Sequence, residues 1–348
     1  MIEKETQRRL PAEWESADAV LMAWPHEDTD WLPILEEAEE CFTAIAEAIS
    51  PFARLVVVGP DIEHIADCLH RIPSERLILV PMETNDTWTR DYGAITVVED
   101  GETRPLDFCF NGWGLKFAAD MDNRVTSRLA SMGIFKHSPE NRLGFVLEGG
   151  SVESDGAGLI LTTDSCILSP NRNGGMSRGE ILEYMRTAFG AERVVSLAHG
   201  ELAGDDTDGH IDTLARIAPP GDIIFYTGCA DRSDEHYEPL KGMAEELHAL
   251  RTAAGQPYHL VELPLPEAMY DPEDGTRLPA TYANFLIVNG AVIMPVYGHP
   301  LKDKMAVDLI GAAMPEYTVV PVDCSVLVRQ HGSLHCSTMQ FPANTLAI

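Results

Sequence analysis

Two spacings of apolar residues run along this chain. Short apolar runs at 19–24, 55–58, 77–80, 94–98, 159–162, 194–197, 211–217, 223–226, 285–288, 292–296 and 317–320 predict β-strands. One apolar face per helical turn predicts helices over 34–49, 62–69, 123–130, 178–189, 237–253 and 303–313. Asp61 and Asp122 stand where N-terminal caps belong, and Gly190 and Gly255 stand just past C-terminal ends. Strands alternating with helices indicate an α/β class. No Pro-, Ser- or Gly-rich linker divides the chain, so residues 1–348 read as a single domain. Polar-plus-glycine clusters punctuate the strands near Trp24, Trp88, Glu148, Asp205, Asn284 and His331. Their recurrence suggests a radially repeated module of about 70 residues, five to the chain.

Charge narrows the class of partner. Acidic residues outnumber basic ones by 55 to 25, a formal net charge of −30, and 45% of residues are hydrophobic. Such a surface repels nucleic acid and anionic membranes and concentrates small cations. The charged N-terminal stretch leads into no signal-peptide core, and no run approaches the length of a membrane span. Seven scattered cysteines without a Cys-x-x-Cys pair suit reduced thiols, and a cytoplasmic protein is expected. The sequence leaves a homo-oligomer open.

Four segments could carry chemistry. Cys336 lies beside His335 in a Gly-Ser turn context near the C-terminus, and it reads either as a nucleophile or as a structural thiol. Adjacent residues of an extended segment face opposite ways, so His335 need not be its base. His210 and Asp212 stand two apart at the start of the predicted strand 211–217, which would place both on one face as an acid/base pair. The spacing of Asp206, Asp208 and Gly209 does not fit a calcium loop. A transition-metal site there lacks a second histidine at ligand spacing. Asp91, in Trp88–Gly93, and Glu148, before Gly149 and Gly150, each set a carboxylate beside glycine. Together with Asp212 and the Trp88 face they suit a planar cation, through paired hydrogen bonds and a cation–π wall. No phosphate loop, dinucleotide fingerprint or Gly-x-Ser-x-Gly elbow is present.

The ordered segments 10–15, 22–26, 87–91, 147–151, 171–173, 209–212 and 331–336 resemble the agmatine deiminase family, grouped with the bacterial peptidylarginine deiminases, from about residue 10 to 340. The resemblance implies a pentein, an α/β propeller of five ββαβ-like modules in pseudo-fivefold arrangement around one central site. It implies Cys336 as nucleophile, His210 as general acid/base, Glu148 orienting His210, and Asp91 and Asp212 gripping the guanidinium. Trp88 would line the pocket, and Asp206 would receive the far amine. The implied reaction hydrolyses agmatine to N-carbamoylputrescine and ammonia through a covalent thiouronium, a putrescine-forming branch of polyamine biosynthesis, with no metal or organic cofactor. Departures occur at His331, Ser333, Leu334, Asp208 and Tyr92, where many members carry other residues. They leave substrate choice open among agmatine, free arginine and peptidylarginine. Amidino transfer to an amine and non-catalytic polyamine binding are the other readings.

Overall fold

The capping rules show plainly in the helix Arg178–Phe189 of this computed structural model, which describes residues 7–347. Ser177 accepts the Glu180 backbone N–H, Glu180 returns to the Ser177 backbone, and Gly190 closes the helix in the left-handed region at φ 62°. Asp61 likewise caps Ile62–Cys68 by accepting from the His64 N–H. The charged start at 1–6, part of the N-terminal reading above, lies outside the described residues, as does Ile348.

The described strands sort into five sheets, and each contains the same pattern, an antiparallel pair extended by a parallel strand. Ile95–Glu99 pairs antiparallel with Glu102–Cys109, which runs parallel to Glu140–Val146. The next sheet joins Glu153–Ser154, Leu159–Thr163 and Arg193–Leu197. Ala215–Ala218, Ile223–Gly228 and His259–Pro264 form the third. Leu286–Val288, Ala291–Val296 and Thr318–Asp323 form the fourth. In the fifth, Met339–Pro342 from the end of the chain pairs antiparallel with Ala17–Ala23 from its beginning. Arg54–Gly59 and Leu77–Pro81 continue that sheet in parallel. Parallel neighbours need a crossover, and helices such as Leu35–Ile49, Tyr237–Ala249 and Pro300–Ala313 supply it. Among the described residues no helix is long and apolar enough to cross a membrane.

Several expectations need correction. Residues 211–217 are not one strand: Ile211–Thr213 is a 3-10 turn, and only Ala215–Ala218 is extended. The turn closes because both the N–H and the hydroxyl of Thr213 donate to the His210 carbonyl, at 3.3 and 2.9 Å. Asp122 caps no helix; it accepts the backbone N–H of Asn85 at 2.7 Å and so secures the loop that leads to Trp88. The helix predicted over 237–253 stops at Ala249, where Leu250 turns extended, and Gly255 sits in a later turn. Four strands of real length escaped the apolar pattern: Glu102–Cys109, Glu140–Val146, His259–Pro264 and Met339–Pro342. Glu140–Val146 and His259–Pro264 are outer strands with few buried positions, so they lack the apolar run that marks an inner strand.

Candidate active site

Short turns bring Asp91, Glu148, His210, Asp212 and Cys336 together from four separate places in the chain. Gly150 shows how tightly they converge. A β-carbon there would lie 2.6 Å from His210 Nδ1, 2.8 Å from Asp91 Oδ1 and 3.1 Å from Asp212 Oδ2. Only glycine fits, and its N–H donates to Asp91 Oδ1 at 3.0 Å. The other Asp91 oxygen accepts from Trp113 Nε1 at 2.9 Å.

His210 is wholly buried. Its Nδ1 lies 3.5 Å from Asp91 and its Nε2 lies 3.6 Å from Glu148. Among the described residues neither ring nitrogen has a hydrogen-bond partner, and Asp212 Oδ1 is likewise buried without one. Buried polar atoms are rarely left unpaired. The backbone that presents the ring is well held, since Thr207 Oγ1 accepts the His210 N–H at 3.0 Å. Burial opposes charge on the imidazole, yet Asp91, followed by Cys166 and Glu148, raises His210 well above its ordinary value.

Glu148 depends on a residue that carried no role in the sequence. Arg172 Nε donates to both of its carboxylate oxygens at 2.9 Å, and Arg172 Nη1 reaches Asp208 at 2.6 Å. Burial would raise the Glu148 carboxyl, but His210 and Arg172 together hold it below the usual range. Replacing Arg172 with methionine would strand a buried carboxylate, with an expected loss of about 3–5 kcal/mol of stability by denaturant unfolding. A loss under about 1 kcal/mol would refute the pairing as structural.

Cys336 Sγ lies 3.4 Å from Asn284 Oδ1 and 3.9 Å from Asp212 Oδ2. Burial first, then the charges of Asp212 and Asp91, push the thiol well above its ordinary value. His335 does not serve Cys336. Its ring bridges Asp212 at 2.7 Å and Glu13 at 2.6 Å, and so fixes Asp212 with its second oxygen free. Against the upward push of burial, His335 keeps Asp212 below the usual carboxylate range. Burial likewise pushes Asp91 up, to about 6, with Asp212 adding to it and His210 opposing it. Glu13 in turn accepts from Arg216 at 2.8 Å, and Arg216 donates to Glu153 at 3.0 Å. That buried ionic network underlies the site.

A cavity of about 160 Å³ leads to Cys336. Trp88 and Trp113 form part of its wall, and Trp88 packs against Trp31 with centroids 5.7 Å apart. Gly332 is required opposite Trp88, since a β-carbon there would fall 2.3 Å from the ring. Asp30, Asp86, Asp205 and Asp206 also line the cavity, while among the described residues no lysine or arginine does. Asp206 is part-exposed, 3.7 Å from His331 Nδ1, and burial raises its carboxyl. Burial also pushes Asp86 up, to about 6. Asp91, Glu148, His210 and Asp212 lie behind this lining rather than in it. His210 Nε2, Glu148 Oε2 and Cys166 Sγ are mutually within 4.8 Å and could in geometry share a metal ion, but Arg172 already occupies Glu148.

The sequence left Trp113, Arg172, Asn284, Glu13 and His335 without roles. Gly112 and Gly114, both at positive φ around a Trp113 that is itself at φ 52°, were the available signal for that loop. Arg172 stood inside a segment of the resemblance, and Asn284 inside a polar cluster. Glu13 likewise stood inside a segment of the resemblance, residues 10–15.

Comparison with known proteins follows the same lines. The model of the Porphyromonas-type peptidyl-arginine deiminase family matches residues 9–342. An agmatine deiminase of Ectopseudomonas mendocina is 31% identical over 96% of this chain and 95% of its own. A structure of C. jejuni agmatine deiminase with substrate bound, carrying serine for a cysteine, superposes with a TM-score of 0.89 at 36% identity over 98% of both chains. A Porphyromonas gingivalis structure provisionally described as an arginine deiminase gives 0.92 at 50% identity, over 97% of this chain and 99% of that one. This chain belongs to the agmatine deiminase and Porphyromonas-type peptidyl-arginine deiminase family.

Proposed function

We propose that this protein is an agmatine deiminase, hydrolysing the guanidine group of agmatine to N-carbamoylputrescine and ammonia. The observation that carries this reading is the thiol of Cys336 in an acid-lined cavity, 3.9 Å from Asp212, with three unpaired buried polar atoms, His210 Nδ1 and Nε2 and Asp212 Oδ1, behind that lining. Asp91 and Asp212 clamp the planar guanidinium by charge-assisted hydrogen bonds. The bound cation offsets the two carboxylate charges that keep Cys336 protonated, and so favours the thiolate. The sulfur adds to the guanidine carbon. Protonated His210 donates to the departing nitrogen, and ammonia leaves an S-alkylthiouronium on Cys336. His210, now neutral, takes a proton from water, and the resulting hydroxide attacks the same carbon. The tetrahedral adduct collapses, the C–S bond breaks, the adduct's hydroxyl proton passes to the departing sulfur and restores the thiol, and the ureido product leaves; the released ammonia takes up the proton that the thiol gave to solvent when the cation bound. Glu148 orients His210 throughout. No step calls on a metal or an organic cofactor.

Trp88 forms one wall for the guanidinium, and Asp206 receives the far ammonium. The carboxylate-rich lining favours a dication over arginine, whose carboxylate would meet Asp206 and its neighbours, while the nearby Lys116 is engaged by the Asp206 carbonyl and by Asp208. The family match and the Porphyromonas gingivalis relative make free arginine and peptidylarginine the second reading, so all three substrates belong in one assay. Ammonia release from agmatine with the mass of N-carbamoylputrescine is expected; turnover of arginine or arginyl peptides without agmatine would overturn the assignment. We further infer one domain over residues 1–348 with the five sheets arranged pseudosymmetrically around the site, and a cytoplasmic setting.

A pH dependence follows from Asp91. With its carboxyl pushed up to about 6, the clamp is charged above that pH and neutralised below it. Accordingly kcat/KM, which reports the free enzyme, should fall tenfold per pH unit once pH drops beneath about 6. A profile flat down to pH 5 would remove Asp91 from the clamp.

A further inference from the structure

We propose that Glu39, His64 and Cys68 form a surface site for a thiophilic divalent cation, zinc in the first place. His64 and Cys68 stand one turn apart on the helix Ile62–Cys68, so their side chains share a face. Cys68 Sγ lies 3.6 Å from His64 Nε2. From the helix Leu35–Ile49, Glu39 places Oε1 2.6 Å from the same nitrogen. All three donor atoms lie within 4.8 Å of one another.

The donor set selects the ion. A thiolate, an imidazole and a carboxylate suit zinc or cadmium, whereas magnesium and calcium require oxygen ligands throughout. Glu39 Oε1 also accepts from Trp24 Nε1 at 2.9 Å, the outer contact that orients a ligating carboxylate. The His64 side chain is 50% exposed, so an ion arrives directly from solvent and water completes the fourth position. Tetrahedral bonds would spread Nε2 and Oε1 to about 3.3 Å. An exposed imidazole accommodates that by a small rotation. Coordination replaces the proton shared between His64 and Glu39 and the proton of the Cys68 thiol, and it clips the two helices together. None of the three residues lines the Cys336 cavity, so the site is independent of the proposed reaction.

Cadmium titration of the full chain tests this through the thiolate-to-metal charge-transfer absorption. One equivalent should saturate the band. C68S should abolish it, H64A should weaken binding at least tenfold, and C166S should leave it unchanged. Zinc should raise the melting temperature of the wild type and not of C68S. A band that survives in C68S, or is lost in C166S, or never appears, would overturn the proposal. H64A, altered at an exposed position, keeps the test decisive should C68S fold poorly.

Discussion

Replacing Cys336 with alanine is expected to lower agmatine turnover by about 10⁴-fold or more while agmatine still binds within a few-fold of the wild-type Kd. The two halves of this result have separate origins. Sγ is the atom that would bond to the guanidine carbon, and without it water must attack a resonance-stabilised guanidinium unaided. Affinity rests elsewhere, on Asp91 and Asp212, which are held by Gly150, Trp113 and His335 rather than by the thiol. Calorimetric titration against the variant, beside an ammonia assay, reads both quantities. Residual turnover within a hundredfold of wild type would remove Cys336 as nucleophile. Lost binding with an intact melting temperature would instead make it part of the clamp.

Replacing His210 with asparagine is expected to reduce kcat by about 10²–10⁴-fold. The departing nitrogen cannot leave as an amide anion, so a proton must reach it, and the proposed donor is His210, which, against burial, Asp91 raises above its ordinary value. The fold should tolerate the change, because Glu148 retains its buried pair with Arg172 and does not become an isolated charge. Mass spectrometry of quenched reactions distinguishes the roles of His210. Without the acid, no thiouronium should accumulate on Cys336. An adduct that forms at the normal rate and then persists would restrict His210 to the water step. A melting temperature lowered as much as activity would make its role structural.

Particular residues show how far the chain could be read in one dimension. Arg178–Phe189 was legible to its last residue, because its capping box and its closing Gly190 are local chemistry. Inner strands such as Arg54–Gly59 were legible because burial on both faces leaves an unbroken apolar run, whereas Glu102–Cys109, also inner, carries Glu102, Arg104 and Asp107 and lacks one. His210 and Asp212 were paired as candidates on the expectation of one strand face, and that reason does not hold. They meet through a 3-10 turn around Gly150, not on one face of a strand, and alternation along a strand cannot reveal a turn whose partner lies some sixty residues away.

The amino-acid sequence by itself determined the α/β class, the ends of helices such as Arg178–Phe189, and the residue types of the candidate site, including Cys336. These follow from neighbours in the chain, whose spacing is set by backbone geometry. Only the tertiary structure decided what each group faces. His335, next to Cys336, turns to Asp212 and Glu13, while Glu148 takes Arg172 and Asp91 takes Trp113. Those pairings join residues from different sheets and loops. They set charge and orientation by burial and distance, which no spacing along the chain records.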